Sequence, residues 1–142
     1  MELNKDYLKS KKITMNEGFK SGATTKVIMY FTKDFFFIVP IDGINMWENS
    51  DTKYSNSKEF IAMIDAEAPK LTIKEFEQKM FDFLPEDRIY EVGALAKFKI
   101  MIGFWIFGSF IMKKNGGERQ VVNMQPKSMR AALSEFYGLD KK

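Results

Sequence analysis

Apolar positions fall into two kinds of run along this chain, and their order predicts most of its elements. Unbroken β-rich stretches read as strands covered on both faces, whereas apolar residues at intervals of three and four read as helices with one buried stripe. Residues 26–41 hold two of the first kind, 27–31 and 35–39, separated by the polar Thr32-Lys33-Asp34, so a hairpin is expected there. Because both runs are apolar at nearly every position, one face needs the sheet's own core and the other needs helices or a partner. Pro40 and Asp42-Gly43 end the second strand. Residues 1–22 are polar and Lys-rich with one alternation at Ile13 and Met15, which reads as a loose start carrying one strand. A short strand is expected at 88–92.

Three segments carry helical spacing. The first, about 57–68, places Phe60, Ile61, Ile64 and Ala68 on one side and stops at Pro69. The second, about 72–84, opens on Thr72 and Glu75, the S/T-x-x-E pattern in which side chains satisfy orphan N–H groups at a helix start. Its stripe is Ile73, Phe76, Met80, Phe83 and Leu84, and Pro85 ends it. The third starts around Pro126, sets Met129, Ala132, Leu133 and Phe136 on one face, and stops at Gly138. Residues 43–57 read as a loop anchored by Met46 and Trp47.

Between the second and third helices lies a long apolar run, 98–112. Phe98, Ile100, Ile102, Phe104 and Ile106 share one strand face, and Lys97, Lys99, Met101, Gly103, Trp105 and Phe107 share the other. Gly108-Ser109 marks a bend, a bulge or a turn that splits the run. Asn115-Gly116 predicts a type I′ hairpin, because both residues tolerate the positive φ that such a turn needs. That turn would pair Lys113 with Glu118, Met112 with Arg119 and Phe110 with Val121.

Composition narrows the chemistry. At 142 residues with 45% hydrophobic and 29% charged positions, the chain suits a single domain spanning 1–142 with one proper core, filled mainly by its 14 Phe. It has neither Cys nor His, which excludes disulfides, thiolate metal sites and every Ser-His or Cys-His arrangement. An enzyme would have to run on carboxylates, Lys or Tyr. The candidate acids are Glu75, Glu77, Asp82, Glu86 and Asp87, with nothing in the pattern to pair them, and Gly116-Gly117 sits in a hairpin turn instead of a phosphate-binding loop. No catalysis and no cofactor or metal is therefore expected. Residues 1–12 lack the apolar stretch of a signal peptide, so a cytoplasmic location is expected. The apolar stretch 100–112 holds 13 residues where a spanning helix needs about 20, so it reads as buried strand.

Charge is uneven. Residues 1–33 carry 7 basic and 3 acidic groups, 34–92 carry 6 and 13, and 93–142 carry 9 and 3. Lys9, Lys11, Lys12, Lys20 and Lys26 form the nearest approach to an anion-binding cluster, which would suit an anionic membrane surface or a phosphate-bearing ligand. The competing reading is that these lysines solvate separate faces. Nucleic acid is not expected, since Arg occurs only at 88, 119 and 130 and the aromatics sit in buried runs. Strands apolar on both faces, together with Trp47 and Trp105, leave more apolar surface than one small core needs. The favoured function is therefore a non-catalytic binding or assembly module that engages a protein partner or itself as a homo-oligomer.

Two pieces of the chain resemble the bacterial pleckstrin-homology-like superfold, including its GRAM-type members. The first, KVIMYFTKDFFFIVP at 26–40, is similar to the strand, short polar turn and strand of those domains; the second is the hairpin GSFIMKKNGGERQVVNM at 108–124 with the helix that follows. The resemblance implies an α+β fold, a bent antiparallel sheet or barrel capped by the C-terminal helix. The helices at about 57–68 and 72–84 would then be an insertion. In some members the loop between the first strands binds phosphorylated headgroups, but their spaced Lys/Arg signature is not matched here.

Overall fold

The computed structural model describes residues 1–16, 24–44, 57–104, 107–117 and 120–138. The apolar runs form strands and the helically spaced segments form helices, giving an α+β architecture. In chain order the strands are β1 (Leu8–Lys9), β2 (Ile13–Asn16), β3 (Thr24–Phe31), β4 (Phe35–Ile44), β5 (Ile89–Glu91), β6 (Leu95–Phe104), β7 (Phe107–Lys114) and β8 (Gln120–Asn123). Helices α1 (Ser57–Glu67) and α2 (Ile73–Phe83) lie between β4 and β5, and α3 (Lys127–Tyr137) follows β8.

Eight strands make one antiparallel sheet in the order β5-β4-β3-β2-β8-β7-β6, with β1 pairing β3 beside this path. Two meanders, β2 to β5 and β6 to β8, are thus joined through β2 and β8, where Met15 lies opposite Val122. The sheet bends without closing, since β5 and β6 end the order and do not pair among the described residues. Inside the bend a core gathers Val27, Met29, Phe31, Phe36, Ile38, Ile100, Phe110, Met112 and Val122, and Leu133 of α3 caps it.

Strand alternation splits β3 and β4 between two cores. Val27, Met29 and Phe31 face the inner one, while Tyr30 faces outward; Phe36 and Ile38 face inward, while Phe37 and Val39 face outward. On that outer face Phe60, Ile64 and Ala68 from the first inserted helix and its end join Phe76, Met80 and Leu84 from the second to form a separate apolar cluster. Both faces of the hairpin are therefore covered from within the chain, α1 and α2 supplying the layer that the sequence pattern requires. The start of the chain is better tied down than its polar composition suggests, because Tyr7 and Leu8 are buried and β1 pairs with β3.

Local signals set the ends. Thr72 accepts from the Glu75 backbone N–H while Glu75 Oε1 accepts from the Thr72 N–H, so the capping box starts α2. Gly138 ends α3 at φ 65°, a left-handed conformation that costs glycine little. The turn between β3 and β4 is held from two sides: Thr32 Oγ1 donates to Glu77 Oε2 of α2 at 2.7 Å, and Tyr137 Oη of α3 donates to the Thr32 carbonyl at 2.7 Å.

Four details differ from the sequence expectation. Pro40 and Asp42-Gly43 do not end the second strand: β4 runs on to Ile44, with Pro40 opposite Val27 next to a register shift that accommodates it. The long apolar run divides between Phe104 and Phe107, with a register shift between Met101 and Phe104, and β7 passes unbroken through Gly108-Ser109. At the Asn115-Gly116 turn only Gly116 has positive φ, and the Gly117 N–H donates to the Lys114 carbonyl, so the turn is not type I′. The register consequently moves by one residue: Phe110 lies opposite Val122, Ile111 opposite Val121 and Met112 opposite Gln120. Finally, Ile73 stands 39% exposed at the head of α2 instead of in its buried stripe.

Candidate functional site

Of the lysines singled out by sequence, Lys9, Lys11, Lys12 and Lys26 fall among the described residues, on β1, in the link from β1 to β2 and on β3. Lys9 lies opposite Tyr30 near one end of β3, while Lys26 lies opposite Thr14 toward the other end. The Lys9 ammonium donates to Asp65 Oδ2 at 2.6 Å, and Tyr30 Oη donates to Asp65 Oδ1 at 2.8 Å. One carboxylate of α1 thus neutralises the cation and satisfies a phenol buried in the sheet. Burial first, then the hydrogen bond to Asp65, pushes the Tyr30 phenol far above its ordinary ionisation range, and burial raises Tyr7 as well. Lys26 donates to Thr14 Oγ1 at 2.6 Å, and Lys11 and Lys12 are exposed. Lys20, Trp47 and Trp105 lie outside the described residues.

This Asp65 arrangement has a measurable weight. Asp65→Ala leaves a buried phenol without its acceptor and Lys9 without its counter-ion, so a loss of about 1–3 kcal/mol is expected in urea unfolding. A loss below about 0.5 kcal/mol would show that water replaces the carboxylate at no cost.

The five candidate acids occupy different places. Glu75 caps α2, and its hydrogen bonds with Thr72 hold the carboxyl below its usual range. Glu77 is buried against Thr32, Asp82 accepts from Gln78 Nε2 at 2.9 Å, and Glu86 and Asp87 are exposed. Among the described residues no group of three or more His, Cys, Asp or Glu has a metal-binding arrangement.

A concave site does form where the bent sheet fails to close. A groove of about 480 Å³ lies between β5 and the start of β6, within the size range of ligand pockets. Its floor is apolar: Phe35 of β4, Phe81 and Leu84 at the end of α2, and Ile89 of β5. Phe35 and Phe81 meet edge to face with ring centres 5.0 Å apart, and both remain partly exposed. Ala94 and Leu95 form the far wall. Glu86 and Glu91 stand exposed on the rim, and Lys114 closes one end, its ammonium donating to the Glu86 carbonyl at 2.9 Å and lying 4.6 Å from the centre of the Tyr90 ring. On the inner side of β5 a smaller cavity of about 180 Å³ is lined by Met15, Arg88, Tyr90 and Gln120, with Lys114 shared between the two.

Sequence reasoning missed this groove, although one signal was present. Phe81 does not belong to the stripe that ends in Phe83 and Leu84, so a large ring was left without an assigned burial site. Two further elements, β5 and the 92–94 turn, had to be placed beside it before the ring acquired walls.

Comparison with known proteins yields no family model, no curated protein and no solved structure that matches this chain. Among the described residues no helix is long and apolar enough to cross a membrane.

Proposed function

We propose that this chain is a pleckstrin-homology-like, non-catalytic interaction module that binds a segment of another protein in the groove beside β5. The observation that carries this reading is the groove itself: a concave aromatic floor left partly exposed beside a β3–β4 hairpin whose two faces are packed into the inner and outer cores. Two antiparallel meanders joined through their outer strands and capped by a C-terminal helix support the pleckstrin-homology-like assignment. The engagement of Lys9 by Asp65, and the separation of Lys9 from Lys26 along β3, weigh against a phosphate or anionic-membrane site built from those lysines. A cytoplasmic setting goes with the same reading.

Selection from a displayed peptide library, followed by amide shift mapping, tests it. Selected peptides should perturb Phe35, Phe81, Ile89 and Leu95. Ala94→Phe, which fills the groove from an exposed position, should weaken binding at least tenfold while changing stability by no more than about 0.5 kcal/mol. Perturbations confined to Lys11, Lys12 and Lys26, together with salt-sensitive binding to acidic vesicles, would transfer the function to the basic surface.

A further inference from the structure

The groove has a chemical preference that its shape alone does not convey. Its α2 and β5 bank, residues 81–95, carries four carboxylates, Asp82, Glu86, Asp87 and Glu91, against a single guanidinium, Arg88. Of these, Glu86 and Glu91 line the groove and are exposed, whereas Lys114, the one cation lining it among the described residues, is turned onto the Glu86 carbonyl and the Tyr90 ring. A cation placed over the floor would meet carboxylates at its edge and the ring of Phe35 or Phe81 beneath it, both favourable to positive charge.

The backbone adds a direction. The Val92 N–H donates to the Asp34 carbonyl at 2.8 Å, and Phe36 lies opposite Tyr90, so by antiparallel alternation these are the hydrogen-bonded pairs of β4 and β5. Glu91, opposite Phe35 between them, therefore turns its own N–H and C=O away from β4, toward the edge that no strand occupies among the described residues. That edge borders the groove. An extended segment laid along it would gain main-chain hydrogen bonds, and its alternate side chains would fall beside Ile89 and Glu91.

We propose that the groove receives an extended, basic segment of a partner protein, with an apolar residue on Phe35 and Phe81 and a Lys or Arg two positions away facing Glu86 and Glu91. The proposal rests on the groove being the binding site and specifies the chemistry of what enters it. A partner with acidic side chains at the same positions is rejected by like charge at the rim.

Titration with the acetylated, amidated heptapeptide Thr-Leu-Thr-Lys-Thr-Lys-Thr, followed by amide shifts, tests this against analogues carrying Gln or Glu in place of both Lys. The Lys peptide should perturb Ile89, Glu91 and Leu95. The Gln analogue should bind about threefold to tenfold more weakly, and added salt should narrow the gap. Glu91→Lys, which leaves one carboxylate and one ammonium on that rim, should remove the preference for the Lys peptide, while Glu91→Gln, which leaves Glu86, should only narrow it; both variants must retain the wild-type melting curve. Equal groove binding by the Lys and Gln peptides would overturn the charge preference and leave the groove reading standing. Shifts elsewhere, or no response to Glu91→Lys, would overturn the placement. If no peptide perturbs the groove, both readings fall. A concentration-dependent mass abolished by Ala94→Phe would make the occupant a second copy of this chain instead.

Discussion

Phe36→Ala is expected to cost about 3–5 kcal/mol, the range for removing a buried aromatic ring without collapse of the site. Phe36 is fully buried at the centre of the inner core. Its ring stacks on Tyr90 at 4.9 Å between centres, meets Phe110 edge to face at 5.2 Å, and lies 5.8 Å from Phe98 and 6.0 Å from Phe31. These partners come from β3, β5, β6 and β7, so they are held by both meanders and cannot close over the hole without bending the sheet further. Against a total stability of about 5–15 kcal/mol the loss is large, and the melting temperature should fall by roughly 10–20 °C. Urea unfolding of Phe36→Ala beside Phe36→Leu measures it. A cost under about 1.5 kcal/mol, typical of well-tolerated hydrophobic swaps, would mean that the inner core is loosely packed.

Phe76→Ala should cost about as much but produce a different failure. Phe76 is the fully buried anchor by which α2 sits on the outer face of the β3–β4 hairpin, with ring centres 5.2 Å from Tyr7, 5.9 Å from Tyr30 and 6.4 Å from Phe37. The direct loss is again about 3–5 kcal/mol. Because the outer cluster shares its strands but not its side chains with the inner one, the damage should concentrate there. Native-state hydrogen exchange should show amides of α1 and α2 losing protection by 10²-fold or more, about 3 kcal/mol, while β6 and β7 keep theirs. Uniform loss across both regions would show a single cooperative unit and remove the case for two cores of separate stability. The variant also bears on function, since Phe81 and Leu84 of the groove floor sit on the last turn of α2 and just beyond it.

The features readable from sequence were those settled within a few residues of themselves. The capping box at Thr72 and Glu75 forms because its partners are three residues apart, and the Thr32-Lys33-Asp34 turn because its flanking runs can pair immediately. The Asn115-Gly116 hairpin was recognisable as a hairpin, but its register was not. A second glycine at 117 offers the chain a longer connection, and one added residue shifts every cross-strand pair while leaving the strands in place. The partner of Lys9 was not legible, for the converse reason. Adjacency along the chain ignores the partner 56 residues away, and Asp65 reaches Lys9 only after α1 has docked on the sheet.

What the sequence by itself determined, then, was which segments become strands or helices and which side chains seek burial, since hydrophobic period and capping are local properties of the chain. Only the tertiary structure decided which of two cores each face of β3 and β4 joins, which carboxylate takes which cation, and where an apolar ring stays partly exposed. Those outcomes depend on contacts between segments tens of residues apart, whose free energies are won or lost together when the sheet bends, α1 and α2 cover its outer face, and the edges of β5 and β6 are left facing a common groove.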